Sequence, residues 1–120
     1  MTAPAKPQPL RPQWQAIPQA LRDVPAWVAW RYEWRADKQG AGKWTKPPRR
    51  AVGDGYAATN KPDTWADFES ARKAADHADG VGLVLTADLV GVDLDHVIGV
   101  DGVIEPWATE VIERFRGAYI

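Results

Sequence analysis

The stretch Gly91-Val92-Asp93-Leu94-Asp95-His96 constrains this chain more than any other, because apolar and acidic residues alternate through it. Alternation of this kind marks a β-strand, whose successive side chains point to opposite faces. Val92 and Leu94 would then share one face, and Asp93 and Asp95 the other. Two carboxylates side by side repel each other, and the arrangement is costly unless a cation lies between them. Mg²⁺ suits such a place, since it takes one or two carboxylates and completes its shell with water and substrate phosphates. The stretch therefore reads as a site of metal-dependent phosphate chemistry with Asp93 and Asp95 as ligands. The competing reading is a strand end carrying two solvated acids.

A chain of 120 residues makes one domain at most, with one modest core. Apolar residues never run long enough for a membrane helix, and the N-terminus has no basic-then-apolar leader. Without cysteine there is neither a disulfide framework nor a thiolate metal site. The expectation is a cytoplasmic protein. Its charge is split along the chain. Residues 1–61 hold eleven Lys/Arg against four Asp/Glu, a balance of +7, and residues 62–120 hold four against twelve, a balance of −8. A basic half attracts polyanions and an acidic half collects metal. The alternative is a chance partition of a solvated surface.

Pro4, Pro7, Pro9 and Pro12 fall in residues 1–16, which read as a disordered or extended tail. Pro18 opens a short helical turn. Ala26–Trp34 then reads as one strand, with Val28, Trp30, Tyr32 and Trp34 on a core-facing side and Arg31 on the other. That makes Arg31 a candidate phosphate contact. A Gly-bearing turn over Ala36–Gly42 leads into a returning strand at Lys43–Lys46, and the pair makes a hairpin. Lys46-Pro47-Pro48-Arg49-Arg50 is stiff and cationic, and its prolines confine it to a strand end or a sheet edge. The turn Gly53-Asp54-Gly55 adds a flexible loop, and the whole segment suits an anionic ligand.

Asp63 or Thr64 is the expected cap of a helix over Thr64–Ala75, with Trp65, Phe68, Ala71, Arg72 and Ala75 on one stripe. His77 reads as a partner of that helix's C-terminal dipole. Val81–Thr86 reads as a buried strand, paired as a hairpin with Leu89–Leu94 so that Val84 and Val92 pack together. After the Asp101-Gly102 turn, Pro106 opens a last helix carrying Trp107, Val111 and Phe115 on one face, and Gly117 ends it. Ala118-Tyr119-Ile120 reads as the start of a further strand. The fold class expected is α+β, a small mixed or antiparallel sheet with two packed helices.

The ordered set of Trp27-Val28-x-Trp30-Arg31, Lys46-x-Pro48, Thr64-Trp65-x-x-Phe68-Glu69-x-Ala71, Gly82-x-Val84-x-Thr86, Gly91 to His96 and Ile104 to Ala108 resembles a known family. It is the N-terminal primase–polymerase domain of phage and plasmid replication proteins, within the archaeo-eukaryotic primase superfamily. The likeness spans residues 17–120 and rests on the order and spacing of the motifs together. The resemblance implies an RRM-like core and metal-dependent nucleotidyl transfer in DNA replication. It gives Asp93 and Asp95 the catalytic, metal-binding role toward Mg²⁺ or Mn²⁺. It also gives the basic half, with Arg31, Lys46, Arg49 and Arg50 as candidates, the task of holding a nucleoside triphosphate and a single-stranded DNA template.

The resemblance also implies a Ser/Gly-rich stretch ending in His and a third acidic ligand, both following the strand that starts near Tyr119. His96 does not replace that His, because it falls on the opposite face from Asp95. The expectation is an incomplete core, inactive or impaired by itself, with an exposed sheet edge inviting a homodimer. Val-Asp-Leu-Asp is also similar to the first motif of haloacid-dehalogenase-type phosphatases, but His96-Val97 follow where that motif wants Gly-Thr or Gly-Val. The non-enzymatic alternative is a module on the same fold that binds nucleic acid or a replication partner.

Overall fold

The computed structural model describes residues 3–118. It is mixed α+β, with small antiparallel sheets and short helices, and it divides after Asp88 into two compact units. The strand expected to begin at Tyr119 and Ile120 lies outside the described residues. No helix among the described residues is long and apolar enough to cross a membrane.

In the first unit, residues 3–13 carry no regular secondary structure, and a 3₁₀ turn at Trp14–Ala16 leads to the one-turn helix α1 (Gln19–Arg22), with Pro18 just before it. The strands β1 (Trp27–Trp30), β2 (Glu33–Ala36), β3 (Gly42–Thr45) and β4 (Pro48–Arg49) follow, then α2 (Phe68–Ala74) and β5 (Gly80–Leu83). β1 is the middle of a three-stranded sheet, flanked antiparallel by β4 and β5, while β2 and β3 form a separate two-stranded hairpin. β4 sits at an edge, where the missing N–H of Pro48 costs no ladder bond.

The strand expected over Ala26–Trp34 is thus two strands in two sheets. Asp79 explains the break. Its N–H donates to the Trp30 carbonyl (2.9 Å) and its carboxylate accepts from the Tyr32 N–H (2.8 Å), so the chain is tied off where the ladder would otherwise continue. The Trp30 indole also fills the space that a Cβ on Gly80 would need, which ties β1 to β5 at the same point.

β1 is covered on both faces rather than half-buried. Trp27 packs with Ile17, Phe68 and Ala71 on the side of α2, its ring edge-on to Phe68 with centroids 5.1 Å apart. Ala26 and Val28 pack with Ala57 and Val84 on the other side. Burying both faces of a four-residue strand removes most of its apolar surface from water, the main favourable term in folding.

The expected helix at Thr64–Ala75 starts later. Ala66 exchanges two backbone hydrogen bonds with Trp27 (2.8 and 2.9 Å), which holds that residue extended and out of any helix. Thr64 instead closes a 3₁₀ turn, Pro62–Thr64, its hydroxyl donating to Lys61 O (2.7 Å). The cap of α2 is Asp67, whose carboxylate accepts from the Ser70 N–H at 2.8 Å. That bond holds the Asp67 carboxyl below its ordinary range.

In the second unit, Leu89–Leu94 forms no strand, and the hairpin expected between it and β5 is not made. Val84 is buried in the first unit's core, but Val92 is 54% exposed. Alternation is only a tendency to fit a half-buried pleated surface, and without a pairing partner it specifies nothing. The ordered parts are a tight turn, where Ile98 bridges Ile104 around Asp101-Gly102, and the helix α3 (Pro106–Arg114). Gly102 has φ +79, as the turn signal required, and the Asp101 carboxylate accepts from the Val103 N–H. α3 ends at Arg114, three residues before the expected stop at Gly117.

Candidate functional site

Three of the four basic residues singled out from the sequence meet in one cleft. Arg49 ends β4, and the chain turns through residues 50–55 to bring Tyr56 directly across from it. The hairpin is closed by Arg50 N–H donating to Gly55 O and by Ala57 N–H donating to Pro48 O, both at 3.0 Å. The loop can double back this tightly because Gly53 (φ +81) and Gly55 (φ +104) adopt backbone angles that other residues resist. Arg31, just beyond β1, forms a second wall. The 3₁₀ turn Ala75–His77, continuing α2, supplies His77 as part of a third. The cleft so enclosed measures about 350 Å³.

Its charge is unbalanced. Arg31 and Arg50 are exposed and make no ion pair among the described residues. Arg49 makes one long contact, 3.4 Å from Nη1 to Glu33 Oε1, and its guanidinium carbon lies 5.0 Å from the centre of the Tyr56 ring. Of the lining residues only Asp54 carries a carboxylate. Guanidinium groups present planar forks of donors that match phosphate and carboxylate oxygens, so three at one cleft favour an oxyanion.

Lys46 is not in the cleft. Its ammonium lies 4.9 Å from the Trp30 ring centre and 5.5 Å from that of Tyr32, a cation–π arrangement on the aromatic side of the hairpin. That side is a run of edge-to-face pairs, Trp30 to Tyr32, Tyr32 to Trp44 and Trp44 to Trp34, so the aromatic row joins the end of β1 to the hairpin.

Asp93 and Asp95 belong to the second unit. Both are exposed on the irregular segment after Asp88, so the strand that was to fix their spacing is not there to do so. Neither makes a hydrogen bond or ion pair to a side chain among the described residues, and His96 beside them has φ +55. The donor chemistry, two unengaged carboxylates, is that of a hard divalent cation. Among the described residues, however, no three His, Asp or Glu side chains gather as a metal-holding group.

No protein-family model matches this chain, and no curated protein matches it. Its functional reading therefore rests on the residues themselves.

The sequence pointed to Arg31, Arg49, Arg50 and the Gly53-Asp54-Gly55 loop. It did not point to Glu33, Tyr56 or His77 as neighbours of that group. His77 was explained by the helix end, and the place of Tyr56 depends on a hairpin register that no local signal announces. Glu33 was one more charge on an alternating strand.

Proposed function

We propose that the cleft walled by Arg31, Arg49 and Arg50 binds the phosphates of a nucleoside triphosphate or of a single-stranded DNA template. We further propose that the chain is part of a primase–polymerase module whose RRM-like core is built around β4–β1–β5. The observation that carries the reading is that three arginines, from two separate stretches of chain, line one cleft of about 350 Å³ with one carboxylate residue among them. Arg31 and Arg50 would meet phosphate oxygens from separate stretches of chain, and Gly53 and Gly55 leave Asp54 as the one side chain that their loop sets against a ligand. Asp93 and Asp95 are the carboxylates that would hold Mg²⁺ or Mn²⁺, which when bound neutralises polyphosphate charge.

Binding of this kind is salt-dependent, because each neutralised phosphate releases counterions. Three contacts to a single strand predict a slope of about −2 in log K against log salt. The test is ATP and oligo-dT binding by fluorescence anisotropy across a salt series. Replacing Arg31 or Arg50 by alanine should weaken binding and flatten the slope by about 0.7 for either residue. Absence of affinity for both ligands at low salt would overturn the reading.

A second reading is a non-catalytic nucleic-acid-binding module on the same fold. It is favoured by the irregular backbone at Asp93 and Asp95, which leaves the two acids without a rigid support. Divalent metal separates the two. If Mg²⁺ and Mn²⁺ change triphosphate binding equally in the natural chain and in an Asp93→Asn/Asp95→Asn double variant, the acids have no metal role and the second reading stands.

A further inference from the structure

The three arginines of the cleft are not held alike. Arg31 and Arg50 are exposed, whereas Arg49 is clamped. On one side its guanidinium carbon sits 5.0 Å from the centre of the Tyr56 ring. On the other, its Nη1 is 3.4 Å from Glu33 Oε1. The two clamps are joined, because the Tyr56 hydroxyl lies 2.7 Å from Glu33 Oε1 and 2.8 Å from Oε2, donating its one proton into the fork of that carboxylate. The backbone makes the placement repeatable. Arg49 and Tyr56 face each other across a β-bridge closed on either side by hydrogen bonds, and Glu33 arrives from the separate β2–β3 hairpin.

We infer that Tyr56 is a positioning residue of the anion cleft: its ring supports the Arg49 guanidinium, and its hydroxyl keeps Glu33 from drawing that guanidinium away. This inference rests on the reading of the cleft as a phosphate site. A carboxylate beside an arginine is a built-in rival for the donors that a phosphate would use. With its carboxylate turned toward the Tyr56 hydroxyl, Glu33 contacts Arg49 through one long bond and leaves the rest of the guanidinium fork unspent. Remove the ring and hydroxyl together, and Arg49 is free to close on Glu33 as a two-pronged pair. The hydrogen bond to Glu33 also raises the Tyr56 hydroxyl above its ordinary pKa, so the donor stays protonated through the physiological range.

The experiment is calorimetric binding of pyrophosphate to the full chain, in the natural form and as Tyr56→Ala, Tyr56→Phe, Arg49→Ala and the Tyr56→Ala/Arg49→Ala double variant. Tyr56 is 55% exposed, so its truncation leaves no buried cavity, and far-ultraviolet circular dichroism confirms that the variants are folded. Tyr56→Ala should weaken binding about three- to tenfold, the range of a partly desolvated cation–π contact together with new competition from Glu33. Tyr56→Phe, which keeps the ring but frees Glu33, should recover only the share of that loss that the ring carries. In the Arg49→Ala background Tyr56→Ala should add nothing, because the residue it positions is gone. Unchanged affinity of Tyr56→Ala, or an equal loss with and without Arg49, overturns the positioning role while leaving the cleft intact. Failure of the natural chain to bind pyrophosphate, with Arg31→Ala and Arg50→Ala equally silent, overturns the cleft and this inference with it.

Discussion

The two units differ in what became of their apolar residues. Up to Asp88 the sequence pattern is redeemed by partners: Trp27, Val28 and Ala29 are buried between β4 and β5, and Phe68 and Ala71 close one face. Beyond Asp88 comparable residues stay in water, among them Val90, Val92, Ile98, Val100, Val103 and Trp107. Both stretches contain alternation and turn signals. Only the first acquired backbone ladders on both sides of a central strand. A local pattern states which face a residue would take if a strand formed, and long-range pairing decides whether it forms.

The sharpest way to break this contrast is to truncate one tryptophan in each unit. Trp27→Ala should cost about 3–5 kcal/mol, since it empties a packed site between Ile17, Phe68 and Ala71. Trp107→Ala, at a residue 50% exposed, should change stability by about 0.5 kcal/mol or less. Urea unfolding followed by circular dichroism measures both, and comparable losses would erase the distinction. A step smaller is Gly80→Ala. The new methyl would meet the Trp30 indole, and overpacking of that kind costs about 1–3 kcal/mol, read in the same titration. A neutral result would mean that the indole is not pinned against β5.

A charge change sharpens the contrast inside the first unit. Asp54→Asn removes the carboxylate from the lining of the cleft, and pyrophosphate affinity should rise about two- to fivefold at low ionic strength, fading as salt screens the site. The corresponding Asp93→Asn change in the second unit should leave metal-free pyrophosphate binding where it was. If the two variants behave alike, the anion is not held where the arginines converge.

How much of this was legible beforehand depends on which interactions are local. The α+β class, the β2–β3 hairpin and the Asp101-Gly102 turn follow from period and turn chemistry, which neighbouring residues settle among themselves. The basic loop Lys46–Arg50 was legible as a stiff, cationic segment at a sheet edge because charge and stiffness are written in composition. Its split was not: Pro48 and Arg49 joined β1 at the edge, sending Arg49 into the cleft and leaving Lys46 over Trp30. The start of α2 was misplaced because Asp63 and Thr64 offered caps nearer the chain's turn, while the backbone bridge from Ala66 to Trp27 delays the helix until Asp67 caps it. The strand at Asp93 and Asp95 was misread for the converse reason, since its pattern needs a neighbour and it pairs with none among the described residues.

The smallest expected effect concerns the tie at Asp79, which separates β1 from β2 and so creates the two sheets of the first unit. Burial pushes the Asp79 carboxyl up, but the Tyr32 N–H, Lys6 (Nζ at 3.0 Å) and the nearby Arg31 outweigh it and hold the group below the usual carboxylate range. A carboxyl whose folded pKa is depressed contributes stability above its unfolded value of about 3.9, and that contribution is lost as pH falls through the lower folded value. Asp79→Asn keeps an oxygen for the Tyr32 N–H and removes only the charge. The variant should therefore be less stable than the natural chain at neutral pH, by no more than about 1 kcal/mol because the Lys6 side of the pair is half-exposed and screened. The difference should shrink as the solution is acidified below about pH 4. Urea midpoints measured from neutral pH down to about pH 2 decide it. Equal midpoints at every pH would make the Asp79 charge a bystander and leave the break between β1 and β2 to the hydrogen bonds with Trp30 and Tyr32, which asparagine can also make.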